Sequence, residues 1–165
     1  MLRHLFIVLF FLPAGLSSKE NKTQRNIDSL STLLKKDLDD TNKVIHLNEL
    51  CSSYQSISNY DTALVCGTAA LQLAEHLNYK RGIAMAHNRI GIAYKYLGNY
   101  DKALENHFAS LKLREELGEK KGIAGSYNNI GEIHRLQGNY SEAIKFFFLS
   151  LQLKEAIGEI GRAHV

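Results

Sequence analysis

The chain has 165 residues, 45% of them hydrophobic and 22% charged, with a single proline and no tryptophan. That composition excludes disordered and fibrous classes and suits one domain or a short repeat array. The formal net charge is +3; without Arg3 and Arg162, at the two ends, the 20 Lys and Arg become 18 against 17 Asp and Glu, with no basic patch to favour nucleic acid as a partner.

Residues 1–18 read as a secretory signal peptide. Arg3 and His4 form a short basic start, residues 5–12 are an unbroken apolar run, Pro13 breaks it and small residues follow, with cleavage expected near Ser17 or Ser18. The run is far shorter than the roughly 20 residues of a membrane-spanning helix. The expected localisation is therefore exported, in the periplasm or another extracytoplasmic space; an uncleaved amino-terminal anchor is the alternative. Residues 23–39 then predict a capping helix, with Ile27, Leu30, Leu33, Leu34 and Leu38 on one side.

From residue 41 the chain repeats itself. "SNYDTAL", "GNYDKAL" and "GNYSEAI" open at Ser58, Gly98 and Gly138, which divides the chain into units 41–80, 81–120 and 121–158. In the middle unit Ile83, Met85, Ala86, Ile90, Ala93, Tyr94 and Leu97 make one helical stripe, and Ala103, Leu104, Phe108, Leu111, Leu113 and Leu117 make a second. Gly98 and Gly138 are expected to end the first helices in a left-handed conformation, with Asn59 taking that role in the first unit, where Ser58 replaces glycine. Asp61, Asp101 and Ser141 are expected to cap the second helices, and Gly118 and Gly158 to end them. Each unit is thus a helix hairpin whose apolar face is buried only by stacking on its neighbours. The tail "IGRAHV", residues 160–165, departs from this pattern and reads as the translation of a sequencing-adapter stretch, hence as non-native. Large apolar side chains left bare near Ile157 would each forfeit roughly 1.5–3 kcal/mol, which fits a longer natural array.

The pair Ile90-Gly91 with Tyr94 and Ala103, matched by Ile130-Gly131 and Ala143, resembles the signature of tetratricopeptide repeats. The first unit departs with Cys51 in place of glycine, and the third with His134 in place of tyrosine. The resemblance implies an all-α fold, a right-handed α-solenoid of stacked antiparallel helix hairpins. The usual unit of that family has 34 residues. The longer unit here resembles the exported arrays of bacterial signalling proteins, which precede a transmembrane helix and a histidine kinase, DNA-binding regulator or nucleotide cyclase.

The resemblance also implies a concave groove lined by the first helices, with Asn48, Asn88, Arg89, Ile92, Lys95, Tyr96, Asn128, Asn129, Glu132 and Arg135 facing a peptide or protein partner. Asn48, Asn88 and Asn128 recur at one position, and a carboxamide both donates and accepts, so it pairs with extended backbone; the alternative is that these amides bridge neighbouring helices. The family's basic clamp for a terminal carboxylate is not reproduced, because Gly125 and Asn129 stand where cations are needed. The remaining chemistry points away from an enzyme. His87, His107 and His134 occupy packing positions rather than a zinc site, Cys51 and Cys66 read as buried thiols rather than a disulfide, and no metal or phosphate-binding motif appears. No cofactor and no metal are expected. Membrane contact is expected only through a segment beyond the repeats, and self-association through an exposed end helix is the alternative function.

Overall fold

The computed structural model describes the backbone of residues 18–163 and the side chains of residues 21–158. Residues 1–17 of the expected signal peptide lie outside the described residues, as do the side chains of the tail over 160–165. Among the described residues there are seven helices and no strand: α1 (Ser18–Leu34), α2 (Thr41–Ser56), α3 (Tyr60–His76), α4 (Lys80–Tyr96), α5 (Tyr100–Glu116), α6 (Lys120–Leu136) and α7 (Tyr140–Ala163). Each packs on the next, and α2 also touches α4, and α4 touches α6, across the units. This is the all-α solenoid of antiparallel hairpins.

Five three-residue turns join α2 through α7, and all five have the same backbone. Ser58, Asn78, Gly98, Gly118 and Gly138 hold positive φ angles of 58°, 52°, 76°, 66° and 79°. In each, the N–H of the next residue reaches back five residues, as in Asn59 to Tyr54 O at 2.9 Å and Tyr79 to Ala74 O at 2.8 Å. The left-handed residue thereby closes the helix end on one of its free carbonyls. Ser58 itself is left-handed, whereas Asn59 has φ −91° and instead caps α3. Asn59 and Asn99 accept from the Thr62 and Lys102 N–H groups, both at 3.2 Å. The expected caps Asp61 and Asp101 fall two residues further on, in the first turn, where their charge faces the positive helix end, and Ser141 likewise lies within α7. Gly158 does not end a helix, for α7 continues to Ala163.

Inside each hairpin one level sets the spacing. A Cβ placed on Gly91 would stand 2.9 Å from the His107 ring, and one on Gly131 2.9 Å from the Phe147 ring. The first unit reverses the exchange: Cys51 fills the glycine position and Gly67 stands opposite. The glycine has changed sides, and Ile90 of α4, whose Cγ1 would stand 2.9 Å from a Cβ on Gly67, fills the room left there. At the next level Ser110 and Ser150 donate to the Ala84 and Ala124 carbonyls, each at 2.8 Å. Between units, Arg114 of α5 donates to the Gly122 carbonyl and to Ser126 Oγ of α6, at 2.8 and 2.9 Å.

The buried titratable groups are packing elements. Cys51 and Cys66 are free, buried thiols; Cys51 donates to the Ala63 carbonyl at 3.1 Å, and burial pushes its pKa up to about 12. His107 is fully buried with neither ring nitrogen partnered. Burial, followed by the positive Lys95 and Arg114, lowers its pKa from 6.5 to about 4. His87 contacts Asn106 Oδ1 through Nδ1 at 2.9 Å, and His134 stacks on Phe146 with centroids 5.5 Å apart.

The amino-terminal helix differs from the expected one. It spans Ser18–Leu34 rather than 23–39, and Leu38 is 79% exposed. The chain leaves α1 where Lys36 and Asp37 bond back to the Leu33 carbonyl, after which Asp37 meets His46 Nδ1 at 2.7 Å and Asp40 caps α2. Ile27 and Leu30 are buried, 40 residues before Gly67 and Ala70 of α3. Helix α1 therefore stands in the register of a second helix, packed against α2 as α3 is against α4.

Two outcomes follow from this core. Gly91→Cys should cost about 1–3 kcal/mol through overpacking, and combined with His107→Gly should cost less than the sum of the single changes by more than about 0.5 kcal/mol; urea denaturation of the four proteins measures this. As pH falls, the unfolded chain takes up the His107 proton first, so the stability is full above 6.5 and is lost down to about 4. The loss amounts to about 3 kcal/mol, and His107→Phe should remove it from the pH dependence of the denaturation midpoint.

Candidate peptide-binding groove

Helices α2, α4 and α6 lie side by side, and the same turn geometry at each joint sets their inner faces in register. The recurrent asparagines end up in three different states. Asn48 is 1% exposed, and its Nδ2 donates to the Val44 carbonyl one turn back at 2.9 Å. It is thus withdrawn from the groove, a correction to its place in the expected set. Asn88 Oδ1 accepts from Asn129 Nδ2 at 3.0 Å, which bridges α4 and α6. Asn128 is exposed. The corresponding α2–α4 bridge comes from Gln55, whose Nε2 donates to the Arg89 carbonyl at 2.7 Å.

The other expected residues form two clusters. Tyr96 is 58% exposed; one ring face stacks on Tyr60 at 4.7 Å with planes 7° apart, and the Lys95 ammonium lies 4.5 Å from its centroid. Glu132 and Arg135 form a two-pronged ion pair, at 2.9 Å from Nε and 2.8 Å from Nη2. Arg135 holds the Glu132 carboxyl below its ordinary range, helped by Lys95. Ile92 is half-buried on α4, about one turn before Tyr96. Arg89 is half-buried and, among the described residues, its guanidinium makes no hydrogen bond or ion pair.

Residues outside the expected set share the groove's amino-terminal end. A cavity of about 710 Å³ lies between α1 and α2 and reaches Arg89 of α4. Lys22 and Arg25 of α1 line it. Their contribution was not evident from sequence, because a capping helix carries no fixed register relative to the groove; the spacing of Ile27 and Leu30 from Gly67 and Ala70 was the available signal. Among the described residues, no group of three or more metal-binding side chains converges, and no helix is long and apolar enough to cross a membrane.

A profile of the tetratricopeptide repeat matches residues 43–116 and 82–156. Among curated proteins no sequence relative matches. Among solved structures the chain is similar to BtubC (BKLC) from P. vanneervenii, with 16% identity, a TM-score of 0.74, and coverage of 84% of this chain and 59% of that one. It is similar to the apo form of RapI, with 20% identity, a TM-score of 0.74, and coverage of 84% and 39%. It is also similar to the tetratricopeptide domain of Arabidopsis FLU, with 21% identity, a TM-score of 0.65, and coverage of 68% and 95%. The chain thus spans less than two thirds of BtubC and of RapI, and at these identities the likeness is one of fold.

If the Asn88–Asn129 contact is a bridge between helices, Asn88→Ala and Asn129→Ala should couple by about 0.5–1.5 kcal/mol in a double-mutant cycle of denaturation. Additive losses would mean that the two amides act separately.

Proposed function

Because the chain belongs to the tetratricopeptide-repeat family, a family of protein-interaction scaffolds, we propose that it is a non-enzymatic scaffold holding a peptide or protein partner along the inner faces of α2, α4 and α6. The observation that carries this reading is Tyr96. A large aromatic ring, 58% exposed, is held in place by Tyr60 and flanked by Lys95. Such a ring offers a broad contact area with little side-chain entropy left to lose, and rigid tyrosines of this kind dominate many interfaces. On α6, the exposed Asn128 amide supplies backbone pairing and the Glu132–Arg135 pair supplies charge selectivity.

In the same proposal the array is the exported interaction part of a larger signalling protein that ends in a kinase, regulator or cyclase. The apolar run over 5–12 and the resemblance of the unit to bacterial sensor arrays support it. Recovering the reading frame beyond Gly158 tests this part, since an immediate natural stop would remove it.

A second reading, self-association, is favoured by α7. Ile144 is 69% exposed and Leu151 52%, whereas Leu111, 40 residues before Leu151, is only 7% exposed beneath α6. A second copy seated on α7 would bury the same face. One set of variants separates the two readings. Tyr96→Ala with Asn128→Ala should weaken partner capture by about tenfold or more and leave the sedimenting mass unchanged. Ile144→Lys with Phe148→Lys lowers that mass only if self-association holds, and intact capture in the Tyr96 and Asn128 variants overturns the groove reading.

A further inference from the structure

The first unit presents a different face from the others at its open side. Where α4 and α6 bring the buried Ala93 and Ile133 against the preceding helix, α2 has Ser53, whose Oγ accepts from Asn26 of α1 at 2.9 Å. Ser52 just before it and Ser56 about one turn after it replace Ile92 and Tyr96. Ser53 is taken up by the contact with α1, and the strip beside that contact, with Ser52 and Ser56, is polar and suits a polar chain.

This serine face forms one wall of the 710 Å³ cavity. Lys22 and Arg25 of α1 line the second wall, and Arg89 of α4 reaches in beyond them. None of these three cations has a carboxylate within ion-pair distance among the described residues, and Arg25 Nε donates only to the Asn21 carbonyl of its own helix, at 3.2 Å. Glu49 is the one acid on the lining, so three positive charges face one negative charge. Gathering like charges costs energy, and a half-buried guanidinium carries five donors that call for acceptors. A carboxylate supplies them, pairing with Arg89 through two parallel hydrogen bonds.

We propose that the cavity between α1 and α2 binds an acidic segment of an extended peptide, with one carboxylate on Arg89 and a second toward Lys22 and Arg25. The inference rests on the groove reading and names the chemistry of the partner at its amino-terminal end. Between the two anchors the Ser52 hydroxyl hydrogen-bonds the peptide backbone, and Ser56 Oγ, which already donates to the Ser52 carbonyl at 3.0 Å, accepts from a peptide N–H. Glu49 excludes a carboxylate from its own side of the cavity, so the site reads the spacing of acids and not only their number. This differs from a terminal-carboxylate clamp, because α1 lies outside the three repeat units and contributes two of the three cations.

Random dodecapeptides displayed on phage and panned against the full chain should be enriched in sequences with a surplus of Asp and Glu. The best such peptide, synthesised with a fluorescent label, should lose about tenfold or more in affinity to Lys22→Glu with Arg25→Glu, and to Arg89→Ala, by fluorescence anisotropy. Both α1 side chains are exposed, so that pair preserves folding where Arg89→Ala could disturb it. Lys112→Glu with Lys154→Glu, the same change in charge at exposed distant sites, should leave affinity within about twofold. Equal weakening by the distant pair would overturn the proposal. Enrichment of neutral or basic peptides that depend on Tyr96 and Asn128 would overturn it while keeping the groove reading, and enrichment of no peptide would remove both.

Discussion

Two antiparallel helices approach only as closely as their most crowded level permits, and here that level is a glycine or cysteine set against whatever stands opposite. Gly91 accepts the His107 ring and Gly131 the Phe147 ring, while Cys51 is answered by Gly67. The hairpin spacing that results places Ser110 and Ser150 within reach of carbonyls on the facing helix. It also determines how much of each apolar face remains for the next unit to cover. The groove is a consequence several steps removed: its floor is made of first helices whose separation is inherited from these contacts.

The turns carry the same constraint along the chain. Five joints share a left-handed residue and a five-residue return bond, although their sequences include serine, asparagine and glycine. Glycine adopts that conformation without a side-chain penalty, and asparagine is among the few other residues that tolerate it. Asn78 follows that preference, and only Ser58, at the first joint, shows the packing of neighbouring helices overriding it. The electrostatics are secondary, since ion pairs such as Lys80 with Glu116 lie on the surface, where solvent screens them.

Much of the architecture was legible because apolar spacing is a direct record of which faces are buried. The stripes through Ile90 and Leu111, the glycines after them and the packed histidines all follow from that record. The caps were less legible: Asn99 and Asp101 are both good capping residues, and only the turn geometry decides between them. The groove was read least well. Asn48, Asn88 and Asn128 are equivalent in sequence, yet one is buried against its own helix, one is held by Asn129 and one faces solvent. Side-chain amides choose partners from their tertiary surroundings, and the surroundings of the first unit include α1, which the repeat pattern alone does not register.

The uniformity of the five joints bears on how such a chain changes in length. A segment excised or duplicated between any two equivalent left-handed residues leaves both neighbouring helices with finished ends and the correct reversal of direction. A gene of this kind can shed or acquire copies through unequal exchange without redesigning a single corner. What an added copy covers is always the same kind of surface, the one that is buried at Leu111 and bare at Leu151, 40 residues on.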